Sequence, residues 1–221
     1  MTLSEETNKA LARCDGVWAI YLQADEVLHE GDRPALLAAL RKYRSTKIET
    51  LSLRYYHFYG SYQTYKDNPG AQYRRATRIV RTGMGIESVG DACAFMCRKN
   101  GEWRKPRRRD LGAHVYHYGW VRPAAQMHLK QRNLERLFLG EAWREGTDHA
   151  TDVDPAKVYG DARHLRTFRG THPEVMRDRI ASVNWSASRA EAGPWPEWLW
   201  RGYVYGAWFI RRGLAALRPR R

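Results

Sequence analysis

The chain has 221 residues, 43% of them hydrophobic, a composition that excludes a disordered tail and predicts a folded domain with a real core. Lys and Arg number 38 against 24 acidic residues, and the net charge of +14 favours anionic partners: nucleotide phosphates, nucleic acid or an anionic membrane surface. The cysteines, Cys14, Cys93 and Cys97, are odd in number and lack Cys-x-x-Cys spacing, which argues against a disulfide framework or a zinc site and indicates a reducing compartment.

The start of the chain predicts a helix followed by a buried strand. The pattern over residues 3–14 is helical, and six apolar residues then run from Val17 to Leu22 before two carboxylates, Asp25 and Glu26. An uninterrupted apolar run is typical of a parallel strand buried on both faces, and ligands bind beyond the carboxyl ends of such strands. Asp25 and Glu26 are therefore candidates to hold Mg or Mn on a phosphate. The alternative is that they only end the strand and cap a turn.

The run from Trp18 to Glu30 resembles glycosyltransferase family 2 and its relatives. In that family a strand ends in an Asp-any-Asp signature that holds the metal and the sugar-nucleotide diphosphate. Here Gln23 stands at the first Asp position, Asp25 matches the last, and Glu26 adds a neighbouring carboxylate. The resemblance implies an α/β fold, a partial GT-A (Rossmann-like) mixed sheet flanked by helices, with Mg or Mn as the cofactor.

The next segment predicts a helix beginning near Asp32 and Pro34, and then a strand over residues 48–59. The strand opens into an aromatic stretch over residues 55–62, which is either a tyrosine-rich core edge or a wall that stacks on a sugar. Arginines follow that could contact phosphate, although a solvated strand face is the commoner fate of such charges. They are Arg74, Arg75, Arg78 and Arg81.

Asp91 follows Gly90 and precedes a small apolar strand, so its side chain could project into a cleft. An Asp after Gly is also a common turn residue. The family resemblance implies a carboxylate base that takes the proton of the acceptor hydroxyl, and Asp91 is the candidate, with Glu87 as the alternative.

A basic loop over residues 99–109 contains a turn at Asn100-Gly101. Such a run can bind nucleic acid or acidic lipid, but it is more often a solvated loop, so nucleic acid is the minority interpretation.

The segment from His114 to Arg122 alternates, which places His114 and Tyr116 on one strand face and His117 on the other. It resembles the family segment in which a His near the end of the catalytic domain reaches the metal and diphosphate. That resemblance assigns His117 to the metal, with a structural His as the competing interpretation. Arg122 and Lys130 could stabilise charge on the leaving diphosphate.

The resemblance covers roughly residues 3–185, and we expect residues 1–185 to form the catalytic domain. The resemblance includes a His172-Pro173 dipeptide that opens a short helix in the family. Residues 186–221 are rich in Trp, Tyr and Arg, and they predict a helical tail that either lies at a membrane–water interface or packs on the domain. No signal peptide or membrane-spanning run is evident, so a cytoplasmic location, with the tail on the inner face of the membrane, is the expectation.

The resemblance thus implies an inverting, metal-dependent glycosyltransferase that moves a sugar from a nucleotide-diphosphate donor to a glycan or glycolipid acceptor, as in bacterial polysaccharide biosynthesis. Because the family's strands before Trp18 have no counterpart, we expect an N-terminally incomplete nucleotide-binding half. One alternative is an inactive truncated remnant that serves as a membrane-associated or partner-binding module. The other is a basic nucleic-acid-binding protein, motivated by the charge of +14.

Overall fold

The computed structural model of the chain describes residues 3–66, 73–139, 159 and 165–185, and within them the architecture is α/β, as predicted. The helices are α1 Leu3–Leu11, α2 Arg33–Tyr43, α3 Ala124–Leu139 and α4 Arg177–Ala181, with 3-10 turns at Glu30–Asp32 and Glu174–Met176. The strands are β1 Trp18–Ile20, β2 Glu26–Leu28, β3 Thr50–Tyr59, β4 Thr64–Lys66, β5 Arg75–Arg81, β6 Ile86–Val89, β7 Ala94–Lys99, β8 Glu102–Arg104, β9 Arg108–Trp120 and β10 Leu165–Thr167.

The described residues divide between two units, and strands β3 and β9 each contribute to both. The first unit takes residues 3–56, 73–117 and 172–175. The second takes residues 57–66, 118–139, 159, 165–171 and 176–185.

The first unit is built on a mixed sheet in the order β1-β5-β3-β9-β2. Strand β5 is antiparallel to β1 and β3, and β2 is antiparallel to β9. Strands β3 and β9 run parallel, because Thr50 N donates to Arg107 O while Ser52 and Asp110 meet further along both strands. Fully buried Leu51, Leu53 and Val115 pack with Leu36 of α2 to form the core on one side of this sheet.

The prediction of a central buried strand at Val17–Leu22 is wrong. Strand β1 has three residues, lies at the end of the sheet order and leaves Ile20 52% exposed. The strand that is buried on both faces is β3, in which Arg54 is the exposed residue. Its position between β5 and β9 explains this burial, and its Ser, Arg, His and Tyr side chains explain why its composition did not indicate a central strand.

A smaller sheet, β6-β7-β8, also belongs to the first unit. The turn predicted at Asn100-Gly101 is confirmed as the β7–β8 hairpin, and both residues have the positive φ that a tight hairpin needs (52° and 84°). The buried side chains Ile86, Phe95 and Cys97 pack this sheet against Ala19 and Val80.

The predicted helix at Asp32-Pro34 is confirmed as α2, with Pro34 in the first turn. Asp32 occupies the N-cap position, but its carboxylate makes no capping bond and instead accepts a hydrogen bond from His114 N at 2.8 Å.

In the second unit β4 pairs with β10 and with the end of β3, and α3 follows the end of β9. Its core contains Tyr59, Met127 and Tyr159, and Phe58 stacks on Tyr118 with ring centroids 4.9 Å apart. The short helix expected after His172-Pro173 is present as the 3-10 turn Glu174–Met176 followed by α4.

The tail predicted over residues 186–221 lies outside the described residues. In the part of the chain that is described, no helix has the length and apolar character needed to cross a membrane.

Candidate functional site

Asp25 and His117 lie together in the first unit, although they are far apart in the sequence. Asp25 lies in the turn between β1 and β2, and His117 on β9 lies opposite Glu26 of β2. The Asp25 Oδ2 and His117 Nε2 atoms are 3.6 Å apart. The side chains are 25% and 9% exposed respectively, so the pair is partly shielded from solvent.

Glu26 has a different environment from Asp25, because its carboxylate is wholly buried. Its two oxygens accept from Arg78 Nε and Nη2, both at 2.8 Å, in a bidentate ion pair. Tyr55 Oη donates to Glu26 Oε1 at 2.7 Å, and Gln23 N donates to Oε2 at 3.2 Å. Both oxygens are therefore occupied by donors, and the carboxylate braces the turn that carries Asp25.

The position of Arg78 depends on an irregularity in β5. Leu51 pairs with Ile79, whereas the next residue, Ser52, pairs with Thr77, so Arg78 is the extra residue of a β-bulge. The bulge leaves the Arg78 carbonyl to accept from Tyr21 N at 2.8 Å, which ties the end of β1 to this site. The Arg78 side chain is fully buried against the Glu26 carboxylate.

Protonation of this buried group is fixed over the ordinary pH range. Burial raises the pKa of Tyr55 far above its usual value, so the phenol stays a donor to Glu26. Burial by itself would lower the pKa of Arg78, but its hydrogen bonds to Glu26 outweigh that effect and its pKa is raised. Arg78 therefore stays charged at its buried contact with Glu26.

The geometry allows Asp25 and His117, but not Glu26, to ligate a common ion. Bond lengths of about 2.1 Å place adjacent ligand atoms about 3 to 3.4 Å apart, close to the spacing between Asp25 Oδ2 and His117 Nε2. Among the residues that the structure describes, no group of three or more His, Cys, Asp or Glu side chains converges on one point. The chain would supply two ligands, and the phosphate oxygens of a bound ligand and water would supply the rest.

Asp91 connects to this site through a series of contacts within the first unit. It is exposed in the turn between β6 and β7, where its Oδ1 accepts from Cys93 N at 3.2 Å, so it also serves as a turn residue. The Cys93 thiol contacts the Tyr73 hydroxyl, and the Tyr73 ring packs edge-on against Tyr55 at 5.0 Å. Because Tyr55 donates to Glu26, this series of contacts runs from the exposed Asp91 to the buried Glu26.

An aromatic cluster lies on the opposite face of β9 from His117. The ring of Tyr56 stacks on His114 at 4.5 Å and meets Tyr116 at 5.4 Å, consistent with the predicted alternation of His114, Tyr116 and His117. Burial lowers the pKa of His114 and raises the pKa of Tyr116 to about 12, so both groups are neutral at pH 7.

Arg122 and Lys130 belong to the second unit and share an anchor. Arg122 Nε and Lys130 Nζ both donate to the carbonyl oxygen of Gly119, at 3.4 and 3.0 Å. Lys130 Nζ also lies 5.8 Å from the centre of the Trp120 ring. The two predicted phosphate contacts are thus held together at the start of α3.

Arg78 is the residue that the sequence interpretation missed. It was grouped with the other arginines of the segment as a solvated or phosphate-contacting side chain, but it is the fully buried partner of Glu26. The available signal was its place inside the run Ala76-Thr77-Arg78-Ile79-Val80, where a buried charge needs an opposite one. Arg81 is likewise structural, since it donates to the carbonyl oxygens of Tyr43 and Ile48 near the end of α2.

No protein-family model matches this sequence, and no curated protein is similar enough to match it.

Proposed function

We propose that the chain is a metal-dependent glycosyltransferase of the nucleotide-diphospho-sugar type, with its fold related to GT-A. The observation that supports this most is the Asp25–His117 pair at 3.6 Å, because the family resemblance drew both residues to the metal from segments far apart in the sequence. The mixed sheet, with Asp25 in the turn that follows an edge strand, is in keeping with such a site.

In this proposal Asp25 and His117 are the residues that would hold Mg or Mn, and a bound ion would supply positive charge for the leaving diphosphate. Glu26 is left out of the ligand set, because both its oxygens are engaged by Arg78, Tyr55 and Gln23. It acts instead by holding the turn before β2 in place. Contact of Arg122 and Lys130 with the diphosphate stays a prediction from the sequence, because both residues belong to the second unit and their donation to Gly119 O does not identify an anion.

Asp91 is the proposed base for the inverting displacement. The acceptor oxygen forms a bond to the anomeric carbon, the bond from that carbon to the diphosphate oxygen breaks, and Asp91 takes the hydroxyl proton. Its exposure is compatible with approach by a glycan or glycolipid acceptor. Contact with the inner face of a membrane is part of the same proposal.

The test is calorimetric titration of UDP, GDP and CDP with and without Mn²⁺. We expect Mn²⁺-dependent binding of at least one of them by the wild type, and at least a tenfold weaker affinity for Asp25→Asn. Asp15→Asn is the matched control, because Asp15 is an exposed carboxylate outside the pair. Thermal unfolding of each variant establishes that it is folded.

Either of two results would overturn the proposal. A folded wild type that binds no nucleotide diphosphate would remove the enzyme interpretation and favour a partner-binding module. Equal binding by the wild type and Asp25→Asn would show that the carboxylate does not contribute to the site.

A further inference from the structure

A cavity of about 410 Å³ lies in the second unit, where the start of α3 faces the residues that follow α4. Its polar lining includes Arg122 and Gln126 from one side, and Arg179 and Asn184 from the other. Trp185 forms an aromatic wall. Among the residues that the structure describes, no Asp or Glu lines this cavity, so its electrostatic character is set by the two arginines.

The two guanidinium groups are fixed by neutral partners. Arg122 Nε donates to Gly119 O at 3.4 Å, and Arg179 Nε donates to Tyr62 Oη at 3.3 Å. Within the described part of the chain neither group forms an ion pair. Within the described residues each guanidinium is bonded through Nε, and a guanidinium fork matches phosphate oxygens in a bidentate manner.

The start of α3 adds positive potential to the same cavity. The helix has 16 residues, and Met127 N is bonded back to Pro123 O at 3.0 Å, so the amides that precede Met127 lie at its N-terminal end. An N-terminus of this kind favours negative charge.

We propose that this cavity is a second anion site, which binds a phosphomonoester carried on a sugar-sized polar ring. Two arginines from different elements match the charge of a phosphomonoester dianion better than that of a single carboxylate. The volume lies within the range of about 300–1,000 Å³ that small-molecule sites occupy. The Trp185 ring offers a face on which the sugar packs, and Gln126 and Asn184 offer amides to its hydroxyl groups.

This inference does not rest on the proposed function, because the cavity would bind its phosphate without nucleotide or metal. It gives Arg122 a phosphomonoester as the alternative to the nucleotide diphosphate predicted from the sequence, and the tests below therefore use Asp25 and Arg179. The two proposals therefore fail separately: Asp25→Asn affects only nucleotide binding, and Arg179→Gln affects only phosphomonoester binding.

The test is calorimetric titration of the full chain with glucose 6-phosphate, inorganic phosphate and glucose, at about 150 mM salt to screen the general effect of the +14 charge. We expect glucose 6-phosphate to bind and glucose not to bind. Arg179→Gln should weaken the affinity for glucose 6-phosphate at least tenfold. Arg169→Gln, which removes an exposed arginine of the same unit, should leave that affinity unchanged. Trp185→Ala should weaken the binding of glucose 6-phosphate more than the binding of inorganic phosphate.

A folded wild type that binds neither glucose 6-phosphate nor phosphatidic acid vesicles would overturn the proposal. Equal losses of glucose 6-phosphate affinity in Arg179→Gln and Arg169→Gln would also overturn it. The vesicles separate the two sources of the same phosphomonoester chemistry. Binding to them that falls in Arg179→Gln, with no binding of the soluble ester, would assign the phosphomonoester site to a lipid headgroup and overturn its assignment to a sugar phosphate. Binding of the soluble ester alone would assign it to a free sugar phosphate.

Discussion

Replacement of Glu26 by Gln tests the conclusion that this carboxylate supports the fold rather than a metal. The change removes the only carboxylate that the structure places against the fully buried side chain of Arg78, and it removes charge from two hydrogen bonds of 2.8 Å. It also places an amide donor among donors from Arg78, Tyr55 and Gln23. Breaking a buried ion pair on one side costs about 3 to 5 kcal/mol, a fifth or more of the roughly 5–15 kcal/mol by which an ordinary domain is stable.

The assay is denaturant unfolding of the wild type, Glu26→Gln and the control Glu102→Gln, which alters an exposed carboxylate on β8. We expect the free energy of unfolding to fall by about 3 to 5 kcal/mol in Glu26→Gln and by less than about 0.5 kcal/mol in Glu102→Gln. Arg78→Met should cost a similar amount, and the double variant should cost less than the sum, because the orphaned charge is then absent. A loss below about 1 kcal/mol in Glu26→Gln, together with lost Mn²⁺-dependent nucleotide binding, would refute the reasoning and return Glu26 to the ligand set.

Three further predictions concern other described residues. Asp91→Asn should keep nucleotide binding but slow donor hydrolysis about 100-fold or more in a product-release assay, and an unchanged rate would exclude the base role. Hydrogen bonds to Arg104 lower the pKa of buried Glu49 from 4.5 to about 2. The contribution of this carboxylate to the free energy of unfolding, about 2 kcal/mol, should therefore be lost as pH falls between those values. Glu49→Gln should show a flatter acid unfolding profile than the wild type, and an identical profile would contradict this prediction. Lys66 Nζ lies 3.5 Å from the centre of the Tyr59 ring, and burial lowers the pKa of this lysine to about 8. The stability of the protein should therefore rise between about pH 8 and 10.5, because the unfolded chain still binds a proton at Lys66 that the folded chain has lost. Thermal unfolding of Lys66→Met should lack that rise.

Local chemistry explains which elements could be predicted from the sequence. Pro34 predicts the start of α2, and Asn100-Gly101 predicts the β7–β8 turn, because both act through backbone conformation within a few residues. The alternation of His114, Tyr116 and His117 is likewise a local consequence of strand geometry, and it places His114 and Tyr116 against the same ring, that of Tyr56.

Position within the sheet could not be predicted in this way. The apolar run at Val17–Leu22 gave the strongest strand signal, yet β1 is a short strand at the end of the sheet order, and the central strand is the more polar β3. Burial of a strand depends on which neighbours pair with it, and those neighbours come from distant parts of the chain. A parallel β3–β9 pairing leaves no local sign in either segment.

The candidate site shows the same division. Asp25 and His117 could be selected from family-like patterns, but their distance depends on the pairing of β2 with β9. The role of Glu26 could not be read from its place beside Asp25, because it depends on a one-residue bulge in β5 that turns Arg78 inward. Adjacent carboxylates in the sequence thus have different environments: Asp25 is partly exposed beside His117, and Glu26 is buried against Arg78.

The central claim is that Asp25 and His117 hold one ion jointly, and a double-mutant cycle on Mn²⁺-dependent nucleotide binding tests it most directly. The cycle compares the wild type, Asp25→Asn, His117→Gln and the double variant, with unfolding curves to show that each is folded. We expect each single change to weaken binding at least tenfold and the double change to add little, because loss of either ligand disrupts the same ion. The account would be contradicted if the fold-losses of nucleotide affinity in the two single variants multiplied in the double variant. It would also be contradicted if His117→Gln bound nucleotide with the wild-type affinity.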